Sequence, residues 1–160
     1  MILATTGTQL PFPRLIDALD ALAATLDERI VAQIGPDTAP YSHIETHATL
    51  APDRLDALMA EARIVVAHAG IGTILSARGH GRPLVVMPRR HALGEHRNDH
   101  QMATVRELGD RAGLYVAWEA DDLAPLLAGV PLAGPPAPTD APEGPRRDLI
   151  AHLKGLIETA

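Results

Sequence analysis

The sequence predicts an α/β fold: one domain with a mostly parallel sheet and helices on both faces. Short apolar runs alternate with segments of helical periodicity along the first 128 residues, which is the pattern of strand–helix–strand units. Apolar residues make up 46% of the 160-residue chain but aromatics only 2%, so the core is built from Ala, Leu, Ile and Val. That composition suits a sheet covered by helices. The length allows one core of ordinary size and is too short for two comfortable domains.

Each element follows in order. "ILATTG" (2–7) reads as a strand stopped by glycine, and "FPRLIDALDALAATL" (12–26) carries Leu15, Ile16, Leu19, Leu22 and Leu26 at helical spacing. "RIVAQIG" (29–35) is a second strand ended by Gly-Pro, and "SHIETHA" (42–48) a third, more exposed one. "APDRLDALMAEA" (51–62) places Leu55, Leu58 and Met59 on one helical face, with Pro52 suited to the first turn. "RIVVAHAG" (63–70) is the most continuous buried-strand run, followed by a helix to about Gly81. "RPLVVMP" (82–88) is another strand. A polar loop, expected to be mobile from Pro88 to Gly94, leads into a helix from Asn98 to Ala112. The strand "GLYVAW" and a short helix near "ADDLAPLLAG" complete the domain at about residue 128. Residues 129–145 are dense in Pro, Gly and Ala and read as an extended linker. Residues 146–160 place Leu149, Leu153, Leu156 and Ile157 on one face of an amphipathic helix, a face that needs the domain itself or another chain as partner.

Composition also excludes. With no cysteine there is no disulfide framework and no thiolate metal site, and a cytoplasmic location is the default expectation. No window approaches the roughly 18 apolar residues of a membrane span, and the N-terminus has no leader pattern, so a soluble, unprocessed chain is expected. The formal charge of −6 argues against nonspecific nucleic-acid binding, while eight histidines and local arginines suit a small anion.

Three loops carry ligand chemistry. In "TTGT" (Thr5–Thr8), Gly7 permits a tight turn or close backbone approach, with flanking hydroxyls to donate to phosphate. In "HAGIGTILS" (68–76), Gly70 and Gly72 clear the path to backbone N–H groups and the Thr73 hydroxyl at a helix start, where the helix dipole favours an anion, and His68 ends the strand. Its spacing is neither a P-loop nor a full G-x-G-x-x-G, and close helix-to-strand packing explains the glycines equally well. In "GEHRNDHQ" (94–101), Asn98 or Asp99 is placed to cap the next helix, and His100 with Gln101 suits sugar hydroxyls. Arg89, Arg90 and Arg97 fit phosphate or an acidic sugar, or simply a solvated basic loop. His96 and His100, four apart, make at most half a metal site; no third ligand is evident, and no metal is expected. No Ser-His-Asp set or paired-carboxylate spacing stands out.

Four ordered motifs, "ATTGT", "VVAHAGIGT", "GRPLVVMPRR" and "GEHRNDHQ", together resemble the C-terminal, donor-binding half of glycosyltransferase family 28 over roughly residues 1–128. The resemblance implies a Rossmann-like domain equivalent to the C-terminal half of a GT-B enzyme. In layout the chain is similar to small free-standing donor subunits, such as the cytosolic subunit of the two-part transferase that adds the second N-acetylglucosamine to dolichol-linked sugar, and bacterial exopolysaccharide counterparts. It implies a hexosyltransferase that takes a UDP-sugar as donor substrate, without a cofactor. The acceptor would be lipid-linked or polysaccharide, as in exopolysaccharide or glycolipid biosynthesis. The partner would be a membrane-associated, acceptor-binding subunit that recruits the chain to the inner face of the membrane; a homo-oligomer is also open.

Carried over by position, Gly7 and Thr8 line the donor cleft, His68, Gly70, Gly72 and Thr73 hold the diphosphate, and His100 and Gln101 reach the sugar. The loop residues Glu95 and Asn98 join this donor-binding set. No catalytic base is assigned, since it would come from the missing half. The departure is Ser76, where many members place a glutamate that accepts hydrogen bonds from the ribose hydroxyls; Glu95 or a partner residue is the alternative acceptor. Ser76 also keeps a second reading open: a non-catalytic subunit that stabilises or stimulates another transferase. A free-standing sugar-nucleotide epimerase or hydrolase ranks last, lacking an evident acid–base pair.

Overall fold

The structure is a computed structural model and describes residues 1–109, 111–129 and 131–136. Six strands form one sheet: β1 (Ile2–Thr5), β2 (Ile30–Gln33), β3 (Glu45–His47), β4 (Ile64–His68), β5 (Leu84–Met87) and β6 (Leu114–Val116). Their order is β3-β2-β1-β4-β5-β6 and every pairing is parallel. All the carboxyl ends therefore lie on one edge. The order reverses direction between β1 and β4, so the loops leaving these two strands diverge and open a crevice, the usual ligand position in such sheets.

The strands alternate their apolar side chains between two cores. Ile2, Ala4, Ile30, Ala32, Ile64, Val66, Val85 and Met87 face one way, with α1 (Pro13–Ala23) and α5 (Leu123–Ala128) packed over them. Leu3, Val31, Val65, Ala67, Leu84 and Val86 face the other, under α2 (Pro52–Glu61), α3 (Ile71–Gly79) and α4 (His100–Leu108). Burial on both faces explains why these strands read as continuous apolar runs. The edge strand β3 is the exposed one, as its composition predicts.

Every expected strand and helix among the described residues is present, with shifted ends. The helix expected over 98–112 spans only His100–Leu108, with Gly109 as its C-cap, and the chain turns at Gly113, whose φ is +83°. The loop from Pro88 to Gly94 holds a 3₁₀ turn at His91–Leu93. Arg14 ties this loop to the body through Glu95 and the Pro88 carbonyl, and Arg90 does so through Trp118 and Glu119. At the start of the expected linker, Leu132 packs on the first core, and the Tyr115 hydroxyl donates to the Ala133 carbonyl while accepting its N–H. The remainder of that linker and the amphipathic helix expected over 146–160 lie outside the described residues.

Candidate functional site: a cleft at the carboxyl edge of the sheet

At the crevice beside β1 and β4 lies an open cleft of about 320 Å³. The loop after β1 supplies Thr6 to Leu10, the end of β4 supplies His68, and the segment after β5 supplies Arg89, His96 and Gln101.

The β1 loop turns at Gly7, whose φ of +77° is one that L side chains rarely adopt. The hydroxyls before it point inward, against the expectation that they serve a ligand. Thr6 Oγ1 donates to the Gln33 carbonyl (3.3 Å), and Thr5 Oγ1 accepts from the Gly7 N–H (3.2 Å) and from Gln33 Nε2 (3.3 Å). Gln33, buried in β2, completes the set by accepting the Leu50 N–H at 2.9 Å. The turn is thus braced by a satisfied polar network, and only Thr8 keeps an exposed hydroxyl on the cleft.

The imidazole of His68 occupies the space left by two glycines. A β-carbon on Gly7 would meet its Cε1 at 3.2 Å, and one on Gly70 would overlap its Nε2. Its Nδ1 lies 3.4 Å from the Thr5 carbonyl. Burial holds the ring below its ordinary pKa of 6.5, against that contact, which favours the proton; the nearby charges of Arg89 and His96 lower it further. His68 is therefore a neutral hydrogen-bonding group.

Gly70 also serves as N-cap of α3, without any side-chain cap, and the first turn of α3 carries no acid. The N–H groups of Ile71, Gly72 and Thr73 have no acceptor within the helix. They bond to nothing else among the described residues. A β-carbon on Gly72 would meet nothing within 4 Å among the described residues, so packing against them does not require glycine there. Ser76, one turn on, is exposed.

Across the cleft, Gln101 Oε1 accepts the N–H groups of Ala69 (3.2 Å) and Arg89 (3.1 Å). The carbonyl end of the amide is thereby spent on joining the loops after β4 and β5, and the Nε2 end is left to donate. Other expected site residues hold the loop rather than face the cleft. Glu95 accepts from Arg14 at both carboxylate oxygens (2.6 and 2.9 Å) and from the Arg90 N–H (2.9 Å), so it is engaged in holding the loop. Asn98 Oδ1 accepts the His100 N–H (3.3 Å) and faces His96 Nδ1 at 3.0 Å. Asp99, the formal N-cap of α4, instead accepts the His91 N–H. His100 is exposed at the start of α4, and His96 is the histidine of this loop that lines the cleft. Arg89, expected to be a phosphate ligand or a solvated residue, is 2% exposed and bonded to backbone carbonyls. Among the described residues no three His, Asp or Glu side chains gather as metal ligands.

The glycosyltransferase family 28 C-terminal domain matches this sequence over residues 1–127. The chain belongs to that family. A UDP-N-acetylglucosamine–N-acetylmuramyl-(pentapeptide) pyrophosphoryl-undecaprenol N-acetylglucosamine transferase of Granulibacter bethesdensis is 33% identical over 128 residues, covering 74% of this chain and 32% of that protein. The enzyme of the same name from Paracidovorax citrulli is 34% identical over 99 residues, covering 61% and 27%. The chain thus spans about a third of the length of these relatives.

The family's fold recurs in solved structures. That of MurG from Acinetobacter baumannii has a TM-score of 0.56 at 19% identity, covering 79% of this chain and 40% of that one. The solution structure of ALG13 has a TM-score of 0.57 at 15% identity, covering 87% and 90%. Family membership agrees with the four motifs that first suggested it, and the parallel six-stranded sheet is the expected donor-half architecture. Among the described residues no helix is long and apolar enough to cross a membrane.

Proposed function

We propose that this domain binds a UDP-sugar and presents it for transfer of the hexosyl group to a lipid-linked or polysaccharide acceptor, acting with a membrane-associated subunit that binds the acceptor. The observation that carries this reading is the uncapped, acid-free first turn of α3 beside the neutral ring of His68. Three backbone N–H groups and the Thr73 hydroxyl at a helix N-terminus make a seat for a diphosphate without a metal. The glycine at position 72 leaves room for the anion to lie against the backbone. Gln101 Nε2 and His96, which line the cleft with His68, suit the sugar end in this reading.

In transfer, the bond from the anomeric carbon to the diphosphate breaks, and negative charge grows on the departing oxygen. Fixed N–H donors at α3 stabilise that charge more than they stabilise the bound donor, which lowers the barrier. His68, held neutral with its proton toward the Thr5 carbonyl, adds no positive charge beside Arg89. The general base for the acceptor hydroxyl belongs to the partner in this reading. The names of the curated relatives, which use UDP-N-acetylglucosamine, support a uridine nucleotide. The likeness in fold to ALG13 is in keeping with a donor domain that works beside a partner.

Calorimetric titration with UDP tests the assignment. Micromolar to millimolar binding is expected, and absence of binding by both the isolated chain and its complex would sink it. Ser76 is the observation favouring the second reading, a non-catalytic stabilising subunit. In that case Gly72 or Gln101 substitutions leave transfer intact; in the donor reading they abolish transfer while complex formation persists.

A further inference from the structure

Arg89 lines the cleft, yet its side chain is buried. Its NH1 donates to the carbonyls of Pro11 (2.6 Å) and Glu95 (3.3 Å), and its NH2 to those of Thr6 (3.1 Å) and Leu10 (2.8 Å). The guanidinium carbon stands 4.5 Å from the centre of the Phe12 ring. Three of those carbonyls belong to the loop after β1 and the fourth to the loop after β5, the two walls of the cleft.

Every one of these partners is neutral. Among the described residues no carboxylate comes within the 4.0 Å of an ion pair with Arg89. The acid nearest in sequence, Glu95, spends both oxygens on Arg14 and the Arg90 N–H. Buried cations are ordinarily paired with an acid, because carbonyl dipoles solvate a charge without cancelling it. Burial biases this guanidinium toward losing its proton and the Glu95 carboxylate, though not in ion-pair contact, opposes that; arginine stays charged. The net result is a fixed positive charge behind the cleft, in a place no surface inspection would find.

We propose that Arg89 is the positioning residue of the donor cleft: its fork sets the spacing of the two loops, and its uncancelled charge draws a pyrophosphate-class anion into the space between them. The loop tie follows from this chain's own contacts. The identity of the anion rests on the donor reading above.

The two effects separate by substitution in the full chain. R89K keeps the charge and loses the planar fork; R89M loses both. Amide hydrogen exchange reads the tie: residues 8–10 and 90–97 are expected to exchange faster together, by about tenfold, in both variants. Calorimetry with inorganic pyrophosphate, UDP and uridine reads the charge. R89M is expected to lose about tenfold or more in pyrophosphate and UDP affinity and much less for uridine, whereas R89K stays within roughly threefold of wild type.

Unchanged exchange, or loosening of one loop alone, overturns the tie. Equal losses for uridine and pyrophosphate in R89M overturn the charge role. Should R89M fail to fold, R89Q replaces it for the charge and R89K decides the tie. Wild-type protein that binds pyrophosphate but not UDP overturns the nucleotide reading alone. Wild-type protein that binds neither overturns the charge role too, and the exchange experiment still judges the tie.

Discussion

Gly70 makes room for the ring of His68: a β-carbon there would overlap Nε2 of the imidazole. Gly72, two residues on, has nothing within 4 Å of the same position. The two glycines of one motif therefore answer to different forces. Gly70→Ala is expected to push the ring out of its slot, costing about 1–3 kcal/mol of stability and weakening UDP binding together. Gly72→Ala is expected to leave stability unchanged or improve it by about 0.5–1 kcal/mol, since alanine suits a helix better, while still weakening UDP. Denaturant unfolding beside calorimetry checks the contrast. Parallel behaviour of the two variants in both measurements would refute it.

The same slot makes His68 sensitive to acid. Burial lowers its folded pKa below the 6.5 of the free side chain. As pH falls below that value the unfolded chain takes up the proton and the folded one resists, so the stability tied to this histidine is complete above pH 6.5 and declines as pH drops through the folded value. Thermal midpoints taken at about pH 7 and about pH 5.5 are expected to fall more for wild type than for His68→Gln. Equal slopes would remove His68 as the source.

Much of this was legible in sequence because two-sided burial leaves a plain trace. The runs "RIVVAHAG" and "RPLVVMP" could only be strands covered on both faces, and the glycine-rich junctions mark where the backbone turns at the carboxyl edge. What stayed hidden were long-range pairings of charged groups. Arg14 and Glu95 are 81 positions apart, and nothing local in "FPRLID" signals that its arginine closes a loop across the sheet. Arg89 looked like a member of a solvated basic stretch because composition carries no information on burial; only the carbonyls gathered around it distinguish it from Arg97. Thr5 and Thr6 misled in the opposite direction, since a hydroxyl beside a glycine turn serves a ligand or the turn's own backbone with the same spelling.

The Arg14–Glu95 pair is expected to govern the order of the loop after β5. Both side chains are largely buried, at 17% and 10% exposure, and Arg14 also donates to the carbonyls of Pro88 and Trp118. Burial pushes the Glu95 carboxyl up, but hydrogen bonds from Arg14 and the Arg90 N–H outweigh it, and the net shift is downward from 4.5. The stability it contributes is thus present above pH 4.5 and lost as pH falls through the folded value. Arg14→Met leaves the carboxylate partly buried and unpaired, a loss of about 3 kcal/mol. Limited proteolysis is expected to cut within residues 90–97 of that variant first. A cleavage pattern identical to wild type would mean that the loop holds without the pair.

Ser76 lies one turn beyond Thr73 on α3, exposed, with no hydrogen bond from its side chain among the described residues. Glu95, the alternative acceptor, is engaged by Arg14 and the Arg90 N–H at both of its oxygens. A serine hydroxyl offers one short reach toward a ribose, whereas a carboxylate there accepts from both hydroxyls at once. Ser76→Glu is therefore expected to raise affinity for UDP by about tenfold, that is by about 1.4 kcal/mol. It should do less for 2′-deoxy-UDP, which keeps only the 3′-hydroxyl, and nothing for pyrophosphate beyond a small loss from the added negative charge near the helix N-terminus. Comparative calorimetry on the three ligands decides it. A gain for UDP that 2′-deoxy-UDP shares in full would show that position 76 does not face the ribose, and the nucleotide would then lie differently along α3 than the diphosphate seat implies.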